Sequence, residues 1–309
     1  MPSFSLRWAA RLSMILAGAG IARAQHAPGA GDAFAYDRSA PLDVRQQDST
    51  VVGSAVVRDI SYTSPRGGRV PAYLVAPAGA APGRTRRAGV VFVHWGQGNR
   101  SEFLAEAVAL APRGVESLLI DAPFNRLDDP NRARQGPAAE RAGYEQLVVD
   151  IRRGVDLLVA DPTVDSARIG YVGHSLGATW GGVVAGVEHR IRAFVLMGGL
   201  PTLTDTDFPD PVIRRDLTAR PAPERAAYET AMEPINPVHF VSRSAPAHLF
   251  FQWARVDRYI SPGAASRYYA AAGEPKTQRW YYSSHEFNDP QARVDRIQFL
   301  AEELGIVPP

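Results

Sequence analysis

The chain of 309 residues is 45% hydrophobic and 21% charged, the balance of a compact globular protein rather than a disordered or fibrous one. It carries 34 Lys+Arg against 32 Asp+Glu, but three of those arginines fall within residues 1–24. The remainder is therefore close to neutral, and nothing in it points to a nucleic-acid partner. With no cysteine, disulfides, thiolate metal sites and a thiol nucleophile are all excluded.

Residues 1–24 have the grammar of an export signal. Arg7 and Arg11 give a positive start, Leu12 to Ile21 an apolar centre, and Ala22-Arg23-Ala24 a small-x-small cleavage site before Gln25. The apolar centre falls short of the roughly 20 residues that a spanning helix needs, so stable membrane insertion after cleavage is not expected. The expected setting is periplasmic or secreted. Residues 25–50 show no sustained apolar period and are expected to be a flexible N-terminal lead-in.

A single domain is expected over 51–309. It opens on an alternating run from Val56 to Tyr62, a turn at Ser64-Pro65-Arg66-Gly67-Gly68, and a return from Val70 to Val75, which predicts an antiparallel hairpin. Short, wholly apolar runs then alternate with longer helical stretches. The runs are Val90–Val93, Ser117–Ile120, Ile169–Val172, Phe194–Met197 and Leu249–Trp253, each suited to a strand buried on both faces of a parallel sheet. Tyr144, Leu147, Val148, Ile151, Val155, Leu158 and Val159 recur at helical spacing. Asp289 and Pro290 mark the cap and first position of a closing helix. The whole predicts an α/β domain with a mostly parallel central sheet and helices on both faces. Residues 201–246 are too long and too rich in Pro and charge for a simple connection; they predict a cap insertion, helical near Ala222 to Met232.

Gly173-His174-Ser175-Leu176-Gly177 is a G-x-S-x-G pentapeptide between a strand and a helix of small residues. In that context Ser175 stands on a sharp turn that lifts its hydroxyl toward a helix N-terminus, where free amides favour a developing oxyanion. A hydroxyl nucleophile needs a base. Of the seven histidines, only His285 follows a late strand (Thr277 to Tyr282) and precedes the final helix, at the carboxyl ends of the strands. His94 reads as a hydrogen-bonder that shapes its loop. Asp257, just past the strand ending at Trp253, is the expected acid; Asp205, Asp207 and Asp210, after the preceding strand, are competitors. The loop His94-Trp95-Gly96-Gln97-Gly98 is expected to supply one oxyanion amide, from Gly96 or secondarily Trp95, with Leu176 supplying the other. Trp95, Phe124, Trp253, Tyr259 and Phe287 follow strands and are candidates to wall a substrate pocket, while Asp121-Ala122-Pro123 reads as a structural turn.

Asp161-Pro162-x-x-Asp165-x-x-Arg168-Ile169, the elbow, Asp257 and His285-Glu286-Phe287 together resemble the dienelactone-hydrolase-like branch of the α/β-hydrolase superfamily, over about residues 55–305. That branch includes acyl-esterases and relatives of the prolyl-oligopeptidase catalytic domain. The resemblance implies an α/β-hydrolase fold and a serine hydrolase that cleaves carboxylic esters of small molecules through an acyl-enzyme, without cofactor or metal. Amide or peptide cleavage, acyl transfer, or a non-catalytic binding role on the same fold are the other readings. Dienelactone hydrolases use a cysteine where this chain has Ser175, which argues against that activity, and their oxyanion His-Gly is His94-Trp95 here. Nothing in the sequence sets the oligomeric state.

Overall fold

A computed structural model describes residues 32–79, 86–126 and 136–308. The expected export signal over 1–24 lies outside them. Nine strands form one sheet: β1 (Arg45–Val52), β2 (Ala55–Thr63), β3 (Arg69–Pro77), β4 (Arg87–Val93), β5 (Val115–Ile120), β6 (Val164–His174), β7 (Ile191–Met197), β8 (His248–Ala254) and β9 (Lys276–Tyr281). Their spatial order is β1-β2-β3-β5-β4-β6-β7-β8-β9. The first three strands are antiparallel, β3 meets β5 antiparallel, and every pairing from β5 to β9 is parallel.

The strand order reverses at β4, which has β5 on one side and β6 on the other. In an open α/β sheet, the crevice outside the carboxyl ends of such strands is where ligands bind, because the loops leave toward opposite sides. Here those ends carry His94-Trp95-Gly96 after β4 and Ser175 after β6.

Helices α1 (Leu104–Leu110) and α7 (Pro290–Leu304) cover one face of the sheet. Helices α2 (Pro137–Ala160), α3 (Leu176–Val187) and α6 (Pro262–Ala271) cover the other. Alternate residues of the central strands serve the two cores: Val91 and Val93 join one, Val90 and Phe92 the other. Burial on both faces explains why these strands read as unbroken apolar runs. Among the described residues, no helix is long and apolar enough to cross a membrane.

The expected lead-in needs correction over residues 45–50, which belong to β1. Every residue of this strand is exposed, so it leaves no alternating imprint in the sequence. It is held by its ladder to β2 through the two-residue turn Gly53-Ser54, in which Gly53 takes the left-handed φ of +61°. Phe34, farther upstream in the expected lead-in, is fully buried against Phe240.

The insertion contains the helix expected at Ala222–Met232 (α5) and a further helix, α4 (Pro211–Thr218). Asp210 caps α4 by accepting from the amides of Val212 and Ile213, and it also pairs with Arg258. On the other side, the Tyr228 hydroxyl of α5 donates to Glu140 of α2. The insertion is thus moored between α2 and the segment that follows Asp257.

Candidate active site

The elbow is shaped by close approach. A Cβ on Gly177 would collide with the carbonyl oxygen of Val93 in β4, and one on Gly173 with the backbone of Gly177. Glycine at both positions lets the chain turn from β6 into α3 flush against β4. Ser175, at the corner, takes φ +52° and ψ −100°, a conformation that costs a non-glycine residue about 1–3 kcal/mol and persists only where its surroundings enforce it. Two hydrogen bonds do so: Ser175 N–H to Met197 O (2.7 Å) and Gly177 N–H to His94 O (3.3 Å).

The structure brings Ser175, His285 and Asp257 into one chain of contacts. Ser175 Oγ lies 2.8 Å from His285 Nε2, and His285 Nδ1 lies 2.8 Å from Asp257 Oδ2. The other carboxylate oxygen, Oδ1, accepts the amides of Tyr259 (2.8 Å) and Ile260 (3.0 Å). The carboxylate accepts at both oxygens, so Nδ1 carries the imidazole proton and Nε2 is left to accept from the serine hydroxyl. Both the imidazole and the carboxylate are buried. Glu286, next to the histidine, is exposed; Ser284 Oγ donates to its carboxylate and holds its pKa below the usual glutamate range.

The competing acids are engaged elsewhere. Asp205 pairs with Arg267, Asp207 accepts from Ser261 Oγ, and Asp210 caps α4. His94 shapes its loop: Nδ1–H donates to Trp95 O (2.5 Å) and Nε2 accepts the Ala122 amide (3.0 Å). Burial pushes its pKa down, which suits a neutral ring with one accepting nitrogen. Asp121 Oδ1 accepts the Arg100 amide, a structural bond at the end of β5.

At the expected oxyanion site, the Leu176 amide is the first of α3 and has no intrahelical acceptor. Among the described residues, neither it nor the Gly96 amide donates to another backbone group. The Trp95 amide is different. It donates to Glu102 Oε2 at 2.7 Å, so Trp95 is corrected from oxyanion donor to anchor of the loop.

The five aromatic candidates separate. Tyr259 stacks obliquely on His285, with ring centroids 4.7 Å apart, and is half-buried at the site. The Trp95 ring lies parallel to His174 at 6.0 Å. Phe124 is half-buried beyond β5, its edge against Tyr144 of α2. Two expectations are corrected. Trp253 is buried in the face of the sheet, stacked on Phe251 with its indole N–H donating to Gln278 Oε1. Phe287 packs beneath His285, against Gly198 and His174. Sequence reasoning missed Glu102 altogether and saw His174 only as a residue of the elbow.

No family model matches the chain, and no curated protein sequence does. Solved structures do match. An acetyl xylan esterase from Paenibacillus sp. R4 superposes with a TM-score of 0.74 at 21% identity, covering 89% of this chain and 92% of that one. Acetyl xylan esterase 1 from Thermoanaerobacterium sp. JW/SL YS485 gives 0.69 at 17%, covering 88% and 92%. A putative dienelactone hydrolase from Klebsiella pneumoniae subsp. pneumoniae gives 0.55 at 16%, covering 85% and 98%. At these identities the likeness is one of fold, and it agrees with the resemblance seen in the sequence: the chain has the α/β-hydrolase fold.

Proposed function

From an α/β-hydrolase fold whose switch point carries Ser175, we propose that this protein is a serine hydrolase that cleaves carboxylic esters through an acyl-enzyme. The observation that carries the proposal is the continuous contact from Ser175 Oγ through His285 to Asp257, each step 2.8 Å. In this reading Ser175 Oγ attacks the ester carbonyl while His285 Nε2 takes its proton. Asp257 holds the ring and steadies the imidazolium. The amides of Gly96 and Leu176 receive the negative charge that develops on the carbonyl oxygen. His285 returns its proton to the departing alcohol, and a water molecule repeats the sequence to release the acid. The esterases among the similar structures support this choice of bond. Tyr259, over the histidine, is the aromatic best placed to meet a substrate. The proposal includes export, which rests on the signal grammar of residues 1–24.

A p-nitrophenyl ester series from acetate to decanoate tests the reading, with wild type beside Ser175→Ala. Loss of at least about a thousandfold in rate, about 4 kcal/mol of transition-state stabilisation, is the expected result. A folded wild type that turns over no ester and is never labelled at Ser175 by a fluorophosphonate would sink it.

A further inference from the structure

His174 occupies the variable position before the nucleophile, and its ring lies 5.2 Å from that of His285, centroid to centroid. Its Nε2 lies 2.7 Å from the carbonyl oxygen of His285. A carbonyl only accepts, so Nε2 carries a proton and donates. Its Nδ1 lies 2.6 Å from Glu102 Oε1, a short contact of the kind made when a carboxylate takes part. The other oxygen of Glu102 accepts the Trp95 amide at 2.7 Å. Three hydrogen bonds thus run from the loop after β4, through Glu102 and His174, to the main chain of His285. The cluster is closed from above by the Trp95 ring, parallel to His174, and from the side by Phe287. It also has no slack, since a Cβ on Gly98 would strike the Trp95 ring and stand 2.9 Å from Glu102 Oε2.

We infer that Glu102 and His174 form a positioning pair that locks the oxyanion loop and the catalytic-histidine loop to the elbow, so that Gly96 N–H and His285 Nε2 face Ser175 together. The inference rests on the hydrolase reading for its kinetic consequence but not for its geometry. Neither residue reaches the Ser175 hydroxyl; each acts through the loop it holds. The Trp95 amide, once taken by Glu102, fixes the plane of the peptide that leads into Gly96. The His285 carbonyl, once taken by His174, fixes the backbone from which the imidazole hangs. Both adjustments bear on the transition state more than on ground-state binding, because oxyanion donors and the base are needed in register only as charge develops.

The test compares Glu102→Ala with Glu102→Gln. Alanine removes both bonds. Glutamine keeps both: its carbonyl accepts from Trp95 and its amide donates to a neutral His174, whose Nε2–H still reaches the His285 carbonyl. The expected result is a fall in kcat of at least about tenfold for alanine with KM little changed, and recovery of most of that loss by glutamine. Wild-type kcat in Glu102→Ala overturns the pairing, and so does a glutamine variant as impaired as alanine. Should Glu102→Ala not fold, Gly98→Ala carries the test, since its methyl displaces the same pair without removing a charge; full kcat there is equally adverse. A readout independent of turnover separates this inference from the hydrolase reading. The imidazole proton between His285 Nδ1 and Asp257 gives a downfield proton NMR signal in wild type, which shifts or broadens in Glu102→Ala if the loop has lost its hold. An unchanged signal overturns the inference. Absence of ester turnover in wild type, with that signal responding, overturns only the activity.

Discussion

Gly198, the first residue after β7, lies directly against His285: a Cβ there would stand 3.3 Å from His285 Cε1 and 3.1 Å from Phe287 Cε2. The residue has φ +59° and its amide is tied to Gln252 O at 2.9 Å, so it has little room to rotate away. Gly198→Ala adds a methyl against Cε1 and Nδ1 of the imidazole, beside the nitrogen that faces Asp257, and it also forces a left-handed conformation that costs alanine about 1–2 kcal/mol. The expected outcome is a kcat reduced by at least about tenfold with KM nearly kept, and a lower Tm. Kinetics and a thermal melt on one preparation check it, and full kcat would show that the ring yields freely.

Asp257→Asn tests the acid. The amides of Tyr259 and Ile260 both donate to Oδ1, so an asparagine there keeps its oxygen toward them and turns its NH2 group toward His285 Nδ1. That nitrogen must then accept, which moves the imidazole proton to Nε2, where it blocks removal of the Ser175 proton. The expected loss is about 10⁴ in kcat with the fold kept, the size that a wrong tautomer costs other Ser-His-Asp enzymes. A loss under about tenfold would pass the role to another carboxylate, and Asp207, near Ser261, would be tried next.

A stability prediction concerns the α1–α7 contact. Glu106 receives Arg296 at both oxygens, Nε at 2.9 Å and Nη2 at 2.5 Å, and both side chains are buried. Arg296 Nη1 also donates to Gln252 Oε1 beneath β8. Removing one partner leaves an uncompensated buried charge, so Glu106→Ala is expected to cost about 3–5 kcal/mol. The double variant Glu106→Leu/Arg296→Met, which removes both charges, should recover most of it. Urea denaturation of the two variants decides the matter; similar losses in both would mean that packing, and not charge, dominates.

What the sequence made legible follows from burial. Strands β4, β6, β7 and β8 are enclosed on both faces and stand out as apolar runs, and the elbow between two of them gives Ser175 its meaning. His285 followed from topology, as the histidine at the carboxyl ends of the strands after the last of them. Strand β1 was hidden because all eight of its residues are exposed, although the Gly53-Ser54 turn was a usable sign. Helix α4 carried a signal that was overlooked: Asp210-Pro211 repeats the cap-and-proline start seen at Asp289-Pro290. Trp253 was misjudged because its place at the end of an apolar run suggested the mouth of the sheet. Period-two alternation puts it on the same face as Phe251, in the core. Glu102 left no local trace, since its contact with His174 closes across 72 residues.

The mooring of the insertion gives a pH prediction. Glu140, in the first turn of α2, accepts from the Tyr144 and Tyr228 hydroxyls, but burial outweighs these bonds and the nearby charge of Arg220, and raises its pKa above the usual glutamate range. The folded state therefore binds this proton more tightly than the unfolded chain does. The stability so gained is complete below the unfolded pKa of about 4.3 and is lost as pH rises through the higher folded value. Glu140→Gln cannot titrate, yet its carbonyl can still accept from Tyr144. The variant is expected to gain on wild type as pH climbs from the glutamate range toward neutrality, and to be the more stable of the two at pH 7. Glu116 is shifted in the same direction by its own burial beside Arg87, but that contribution is common to both proteins and cancels in the difference. Urea denaturation of the pair between pH 4 and pH 7 would show it, and a difference that stays flat across that window would mean that Glu140 is ionised with no penalty between its two tyrosines.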